Sequence, residues 1–211
     1  MSNNTGSDGL YNQHYIKRIH ETLLHSLNEF PRTFILRIDL RLPDENYELY
    51  SKDSTLMTRF IESLKSQVKY AQEGKARQGK RTHPCKVRYV WAREFGDEKG
   101  KKHYHVALML NNDVYYNAGT YYPIDGKYIP NLALMLMEAW IRTLNLHTQT
   151  DYEKKYYPLV EFVFEGDFNL NIKMTNFSWH YDTVIRRLSY LAKLNSKDHS
   201  DGQRNFGCSQ L

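Results

Sequence analysis

His103 and His105 stand one residue apart and lead into the apolar run Val106-Ala107-Leu108-Met109-Leu110. Side chains alternate across a β-strand, so both imidazoles leave the same face while the run behind them anchors the strand in a core. Lys86 to Glu94, rich in Val, Tyr and Trp, reads as the preceding strand, and a glycine-containing connection makes the two a hairpin. Opposed residues of an antiparallel pair share a face, and the sum of their numbers is constant along the ladder. A turn centred on Glu98-Lys99 sets Glu94 opposite His103, and a two-residue turn at Lys99-Gly100 sets it opposite His105. An odd-length loop brings Arg93 to that face instead and removes the carboxylate. With Glu94 in place, two imidazoles and one carboxylate with open positions suit Mn²⁺ or Mg²⁺, or Zn²⁺, and leave room for a substrate oxygen. Ala107, next on that face, is small enough to leave space for a bulky ligand such as a DNA strand.

A second chemical pattern is Tyr190-Leu-Ala-Lys193 on a helical stretch. Residues three apart share a helix face, so the phenol of Tyr190 and the ammonium of Lys193 point to one place, with Arg186 and Arg187 one turn back. A tyrosine can act as a covalent nucleophile, and a nearby cation favours the phenolate and neutralises a phosphate. The chain has 17 tyrosines, so most of them serve packing or surface roles. Around this stretch Lys173, Arg186, Arg187, Lys193, Lys197 and Arg204 outnumber Asp182, Asp198 and Asp201, which fits a phosphate-facing flank or a solvated helix face. A third pattern, Gly74-Lys-Ala-Arg-Gln-Gly79-Lys80-Arg81, imitates a phosphate-binding P-loop. It fails as one, because Arg81 fills the position of the Mg²⁺-binding hydroxyl and a helix rather than a strand precedes it. Lys75, Arg77, Lys80 and Arg81 still offer a basic loop to a phosphate backbone.

These groups must be positioned by a fold that 211 residues and 41% hydrophobic content allow to be one globular domain with a sizeable core. Three- and four-residue apolar spacing predicts helices over 12–30, from about Ser54 to Glu73-Gly74, over 131–141 and from Ser178 to Leu194. Alternation predicts strands at 33–42, 86–94 and 103–110, then Leu159 to Phe164, and at 168–174 an exposed strand or an ordered loop. The order is that of an α+β protein with a central antiparallel sheet of about five strands flanked by helices. The formal charge of +5 tilts the partner towards a polyanion. Cys85 and Cys208 match no metal or redox spacing and read as free thiols of a reducing, cytoplasmic setting. No secretory segment or long apolar run is present, and 1–9 reads as a polar, mobile start.

Trp91-Ala-Arg-Glu94, His103-Tyr-His105, Tyr190-Leu-Ala-Lys193 and the closing Arg204-Asn-Phe-Gly-Cys-Ser209, in this order, resemble the HUH endonucleases. Within them the likeness is to the rolling-circle replication initiators of filamentous phages (inovirus type) and related prophage-encoded proteins. The resemblance runs from about Thr33 to the C-terminus. It leaves the mobile start and N-terminal helix as a separate 1–32 and implies a nuclease domain over 33–211. It implies a divalent metal, Mn²⁺ or Mg²⁺, on Glu94, His103 and His105, and Tyr190 as nucleophile with Lys193 orienting the phosphate or assisting the phenol proton. Arg186, Arg187, Lys101, Lys102 and Arg204 are then expected on the DNA. The implied reaction nicks and rejoins single-stranded or hairpin origin DNA through a 5′-phosphotyrosine in the cytoplasm of a bacterial host, with a host helicase and polymerase as further partners and no membrane involved. Neither Arg186 nor Leu194 supplies a second tyrosine a turn away, which favours a single-tyrosine enzyme. The same chemistry would serve a transposase or relaxase. From another class, a catalytically silent single-stranded DNA-binding regulator would keep the fold, and a structural zinc site of His83, Cys85 and the histidine pair has poor spacing.

Overall fold

The computed structural model describes residues 10–96, 100–194 and 197–210. The start expected to be mobile and the hairpin turn at Glu98-Lys99 lie outside them. Helix α1 (Gln13–Glu29) opens on Asn12, whose side chain accepts from the Tyr15 amide at 3.2 Å. Strand β1 (Arg32–Arg41), a short α2 (Tyr47–Lys52) and the long α3 (Leu56–Arg77) follow. Then come β2 (Arg88–Phe95), β3 (Lys102–Asn111), α4 (Leu132–Thr143) and α5 (Tyr152–Tyr156). The chain closes with β4 (Val160–Asn171), α6 (Phe177–Leu188), a 3₁₀ turn (Ser189–Ala192) and β5 (Phe206–Cys208). Because α3 runs through Gly74 to Arg77, the P-loop look-alike is partly helix and forms no cradle.

The five strands form one antiparallel sheet in the order β4-β1-β3-β2-β5. Strand alternation divides its side chains between two cores. Phe34, Leu36, Ile38 and Leu40 of β1, with Tyr104, Val106, Leu108 and Leu110 of β3, meet α3 and α4. Trp140 fills this layer and donates its indole N–H to the Arg41 carbonyl at 2.8 Å, so the large ring is buried without stranding its donor. On the other face Ile35, Val90, Ala92, Ala107 and Met109 pack under Ile19, Leu23 and Leu27 of α1 and Val184 and Leu188 of α6. Ala107 is fully buried there, so its small side chain admits the helical layer rather than a DNA strand. The same face turns polar towards one end, where Arg37 and Asp39 of β1, Glu94 of β2 and His103 and His105 of β3 continue the alternation.

Three elements differ from their sequence patterns, each for a local reason. The two segments expected at 159–164 and 168–174 are one strand, β4, interrupted by a bulge: Leu36 pairs with Asp167 but Ile38 with Phe162. Glu165 takes the left-handed conformation there (φ 49°), and the extra residues break the alternation that would have joined the halves. The fifth strand is Phe206–Cys208 on the β2 edge, too short to carry a periodic signal. Its Gly207 lies against Trp91, whose ring atoms would be 2.5–2.6 Å from an added Cβ. Gly207→Ala is therefore expected to destabilise the fold by about 1–3 kcal/mol through overpacking, read as a lower midpoint in denaturant melts. The last helix, expected to reach Leu194, leaves α geometry after Leu188. Ser189 turns its hydroxyl back to the Ile185 carbonyl at 2.8 Å, and the N-terminal segment takes over the end of the turn. The Asn12 amide donates to Ala192 O at 2.9 Å, and Leu194 N donates to Leu10 O at 2.9 Å.

Candidate metal centre and its tyrosine

The hairpin register settles which residue faces the histidines. Glu94 pairs with His103 and Ala92 with His105, so Glu94, His103 and His105 share one face, the even-loop outcome. Arg93 points to the opposite face, where it is 1% exposed and held by Asp201 and by Asn205 Oδ1 at 2.7 and 2.9 Å. The ligating atoms of the three residues all lie within 4.8 Å of one another. His103 Nε2 is 3.2 Å from His105 Nε2, and His105 Nε2 is 3.3 Å from a Glu94 carboxylate oxygen.

The protons of the two rings are fixed from behind. His105 Nδ1 meets Asp39 Oδ1 at 2.6 Å, and His103 Nδ1 meets the Lys101 carbonyl at 3.2 Å. A carbonyl and a carboxylate can only accept, so each Nδ1 carries a proton, and in its neutral form each ring presents an Nε2 lone pair to the other. Two lone pairs facing each other at 3.2 Å beside a carboxylate repel unless a cation or proton joins them. Metal–ligand bonds of about 2.0–2.2 Å put neighbouring ligand atoms roughly 3 Å apart, so the donor set fits a divalent ion by type and spacing.

Charge around the cluster is finely divided. Burial holds His103 below the ordinary imidazole range, in the neutral form a metal requires. Burial would lower His105 as well, but its hydrogen bonds to Asp39 and Glu94 outweigh this and raise it. Lys197 reaches in from the C-terminal segment and donates to the other Glu94 oxygen at 3.0 Å, both side chains being almost wholly buried. Asp39 is the residue that orients His105. Asp39→Ala is expected to weaken Mn²⁺ binding about 10–100-fold, measured by calorimetric titration, because the ring loses the partner that fixes its tautomer and angle.

Tyr190 sits in the 3₁₀ turn at this cluster. Its ring packs edge-on against His105 with centroids 5.3 Å apart, the Lys193 ammonium lies 4.4 Å from its centroid, and Arg37 lies 5.2 Å away on the β1 side. The ring is 37% exposed. The structure thus brings together Glu94, His103, His105, Tyr190 and Lys193.

The expected DNA-contacting cations are dispersed. Arg186 is exposed on α6, and Arg187 pairs with Glu165 of the β4 bulge at 2.8 Å. Lys101 pairs with Asp44 beside the cluster. Lys102 is 1% exposed, with its ammonium on the Ser51 carbonyl at 2.7 Å and on Gln203 Oε1 at 2.8 Å, and burial lowers its pKa to about 8. It holds α2 and the C-terminal segment together and offers nothing to a DNA backbone. Arg204 lines a groove with Trp91 and Met57 on the α3 side of the sheet, across from the histidines. His83 and Cys85 take no part in the cluster, and both cysteines are free.

Asp39, Arg37 and Lys197 are the site residues that motif reading passed over. A signal existed for the first two: charges at alternate positions of an otherwise apolar strand must point somewhere polar. Lys197 lies in irregular chain and carries none.

Fold and site together define an antiparallel α+β protein whose sheet carries a two-histidine, one-carboxylate cluster capped by a tyrosine. No described helix is long and apolar enough to cross a membrane. Residues 2–209 match the model of the YagK/YfjJ C-terminal domain, and the chain belongs to this family. It is 33% identical over 218 residues to "Uncharacterized protein YagK" of Escherichia coli (strain K12), an alignment covering 100% of this chain and 99% of that protein. It is 31% identical over 204 residues to "Uncharacterized protein YfjJ" of the same strain, covering 93% of each. No solved structure matches the chain.

Proposed function

We propose that this protein is a metal-dependent, single-tyrosine endonuclease and strand transferase of the HUH type, which nicks and rejoins single-stranded DNA to initiate rolling-circle replication of a phage or mobile element. The observation that carries the reading is the contact of the Tyr190 ring with His105, which puts a phenol from the end of the chain at a metal-fitting cluster from its middle. Glu94, His103 and His105 would hold Mn²⁺ or Mg²⁺. An ion bound there supplies Lewis acidity to a non-bridging oxygen of the scissile phosphate.

The protein's own groups do the rest. The Tyr190 oxygen attacks phosphorus, the bond from phosphorus to the 3′-oxygen breaks, and the phenol proton is balanced by the one the departing 3′-oxygen gains. The products are a 5′-phosphotyrosine and a free 3′-hydroxyl, and a later 3′-hydroxyl reverses the step and rejoins the strand. Lys193 favours the phenolate and offsets phosphate charge. Arg186 and Arg187 on α6 would guide the single-stranded or hairpin origin DNA towards the tyrosine, and a host helicase and polymerase in the bacterial cytoplasm would extend the primed end. The test is incubation with Mn²⁺ and labelled single-stranded fragments of the host element. A covalent adduct on Tyr190 is the expected result. Absence of any adduct across a comprehensive fragment library would leave a binding protein instead.

A further inference from the structure

Strand β1 sends one more charged side chain to this face. Arg37 is 9% exposed, and its Nε has no hydrogen-bond partner among the described residues. Its nearest carboxylate oxygen, Asp39 Oδ1, is 3.9 Å from Nη2, and that same oxygen is engaged by His105 at 2.6 Å. A guanidinium withdrawn from water with an empty donor and a shared, distant counter-charge is costly unless an anion completes it. Burial accordingly pulls the Arg37 pKa down against the opposing pull of Asp39 and Tyr190.

Arg37 occupies the point on β1 where pairing with β4 breaks, between Leu36 and Ile38. The bulge passes over it through Gly166, where an added Cβ would lie 3.3 Å from the Arg37 Cβ and 2.7 Å from the Val163 carbonyl. The Arg37 guanidinium carbon lies 5.2 Å from the Tyr190 ring centroid, and the Lys193 ammonium lies 4.4 Å from the same centroid. The two cations therefore approach the tyrosine from different elements, Arg37 from the sheet and Lys193 from the end of the turn.

We infer that Arg37 and Lys193 form an oxyanion site beside the Tyr190 ring that takes a tetrahedral phosphate, with Arg37 as its buried anchor. Under the nicking proposal, on which the identity of the ligand rests, this phosphate is the phosphodiester that Tyr190 attacks, and Arg37 is the donor that holds its second non-bridging oxygen. The planar fork of a guanidinium suits two phosphate oxygens, which an ammonium cannot imitate.

The site itself is tested without DNA. The Nε–H resonance of Arg37, assigned in the wild-type protein, is followed by NMR during titration with inorganic phosphate at constant ionic strength against chloride. A saturable shift is expected; an unmoved resonance would overturn the inference. Arg37→Lys and Arg37→Gln, checked for folding by circular dichroism melts, are expected to lose saturable phosphate binding in full for Gln and in large part for Lys. Where a nicked sequence is in hand, Arg37→Gln is expected to slow adduct formation about 10²–10³-fold, the usual effect of removing one oxyanion donor. The variant should also bind equally well an oligonucleotide bearing a neutral methylphosphonate at the nicked position, whereas the wild type binds it less tightly than the natural strand. Unchanged nicking by the folded Arg37→Gln protein would sink the inference and leave the nuclease standing. A phosphate-responsive Arg37 in a protein that nicks nothing would do the reverse.

Discussion

Tyr190→Phe is expected to remove the covalent DNA adduct, a loss of about 10³-fold or more, while leaving the fold unchanged. The substitution deletes one oxygen and keeps the ring. The edge-on contact with His105 and the placement of Arg37 and Lys193 near the ring depend on the aromatic system, not on the hydroxyl. The side chain is 37% exposed, so melting midpoints should move little, within about 0.5 kcal/mol. The readout is a Mn²⁺ reaction run on denaturing gels with the DNA labelled at one end or the other. A 3′-end label should travel with wild-type protein, because the tyrosine keeps the 5′-phosphate of the downstream strand, and a 5′-end label should appear on a free shorter fragment. An adduct that persists in Tyr190→Phe would assign the chemistry to another residue.

The second large effect concerns the histidines, and comparing them separates metal binding from stability. His105→Ala should weaken Mn²⁺ binding by more than about 100-fold, and it should also cost about 1–3 kcal/mol of stability, since it leaves the largely buried Asp39 carboxylate without its donor. His103→Ala should lose the metal comparably but fold nearly as well, because its other ring partner is a backbone carbonyl near the end of β3. Protons compete with the ion for the same nitrogen. The His105 pKa is held above its usual value by Asp39 and Glu94, so apparent affinity should fall as pH drops through that raised pKa, by up to about tenfold per unit below it. Equal affinity in wild type and both variants, measured by calorimetry or by the Mn²⁺ paramagnetic resonance signal, would refute the cluster as a metal site.

How much of this was legible beforehand differs by residue. Glu94 became a partner of the histidines by counting along a hairpin, and the register Glu94 with His103 is one of the two even-loop solutions. The α+β architecture followed from periodicity, because β1 and α3 alternate cleanly between apolar and polar positions. What escaped were places where tertiary pairing overrides local pattern. The β4 bulge hides the continuity of a strand, and β5 exists only because the β2 edge accepts it. Lys102 looks like a surface cation beside Lys101, yet strand alternation sends it inward to carbonyls of the α2 segment. Lys197 reaches Glu94 across more than a hundred residues of chain, a contact that no spacing encodes.

The clasp between Leu10–Asn12 and Ala192–Leu194 bears on how the molecule is born. Leu10–Asn12 are made before any of the strands, and β1, β2 and β3 can assemble the histidine cluster while the ribosome is still at work. The seat of Tyr190 has no such head start, for one half of the clasp is made first and waits for the other, and the Lys197 that steadies Glu94 comes later still. A chain made only as far as β3 therefore carries the cluster without Tyr190 in position, and the two come together only once the stretch to Leu194 has been made.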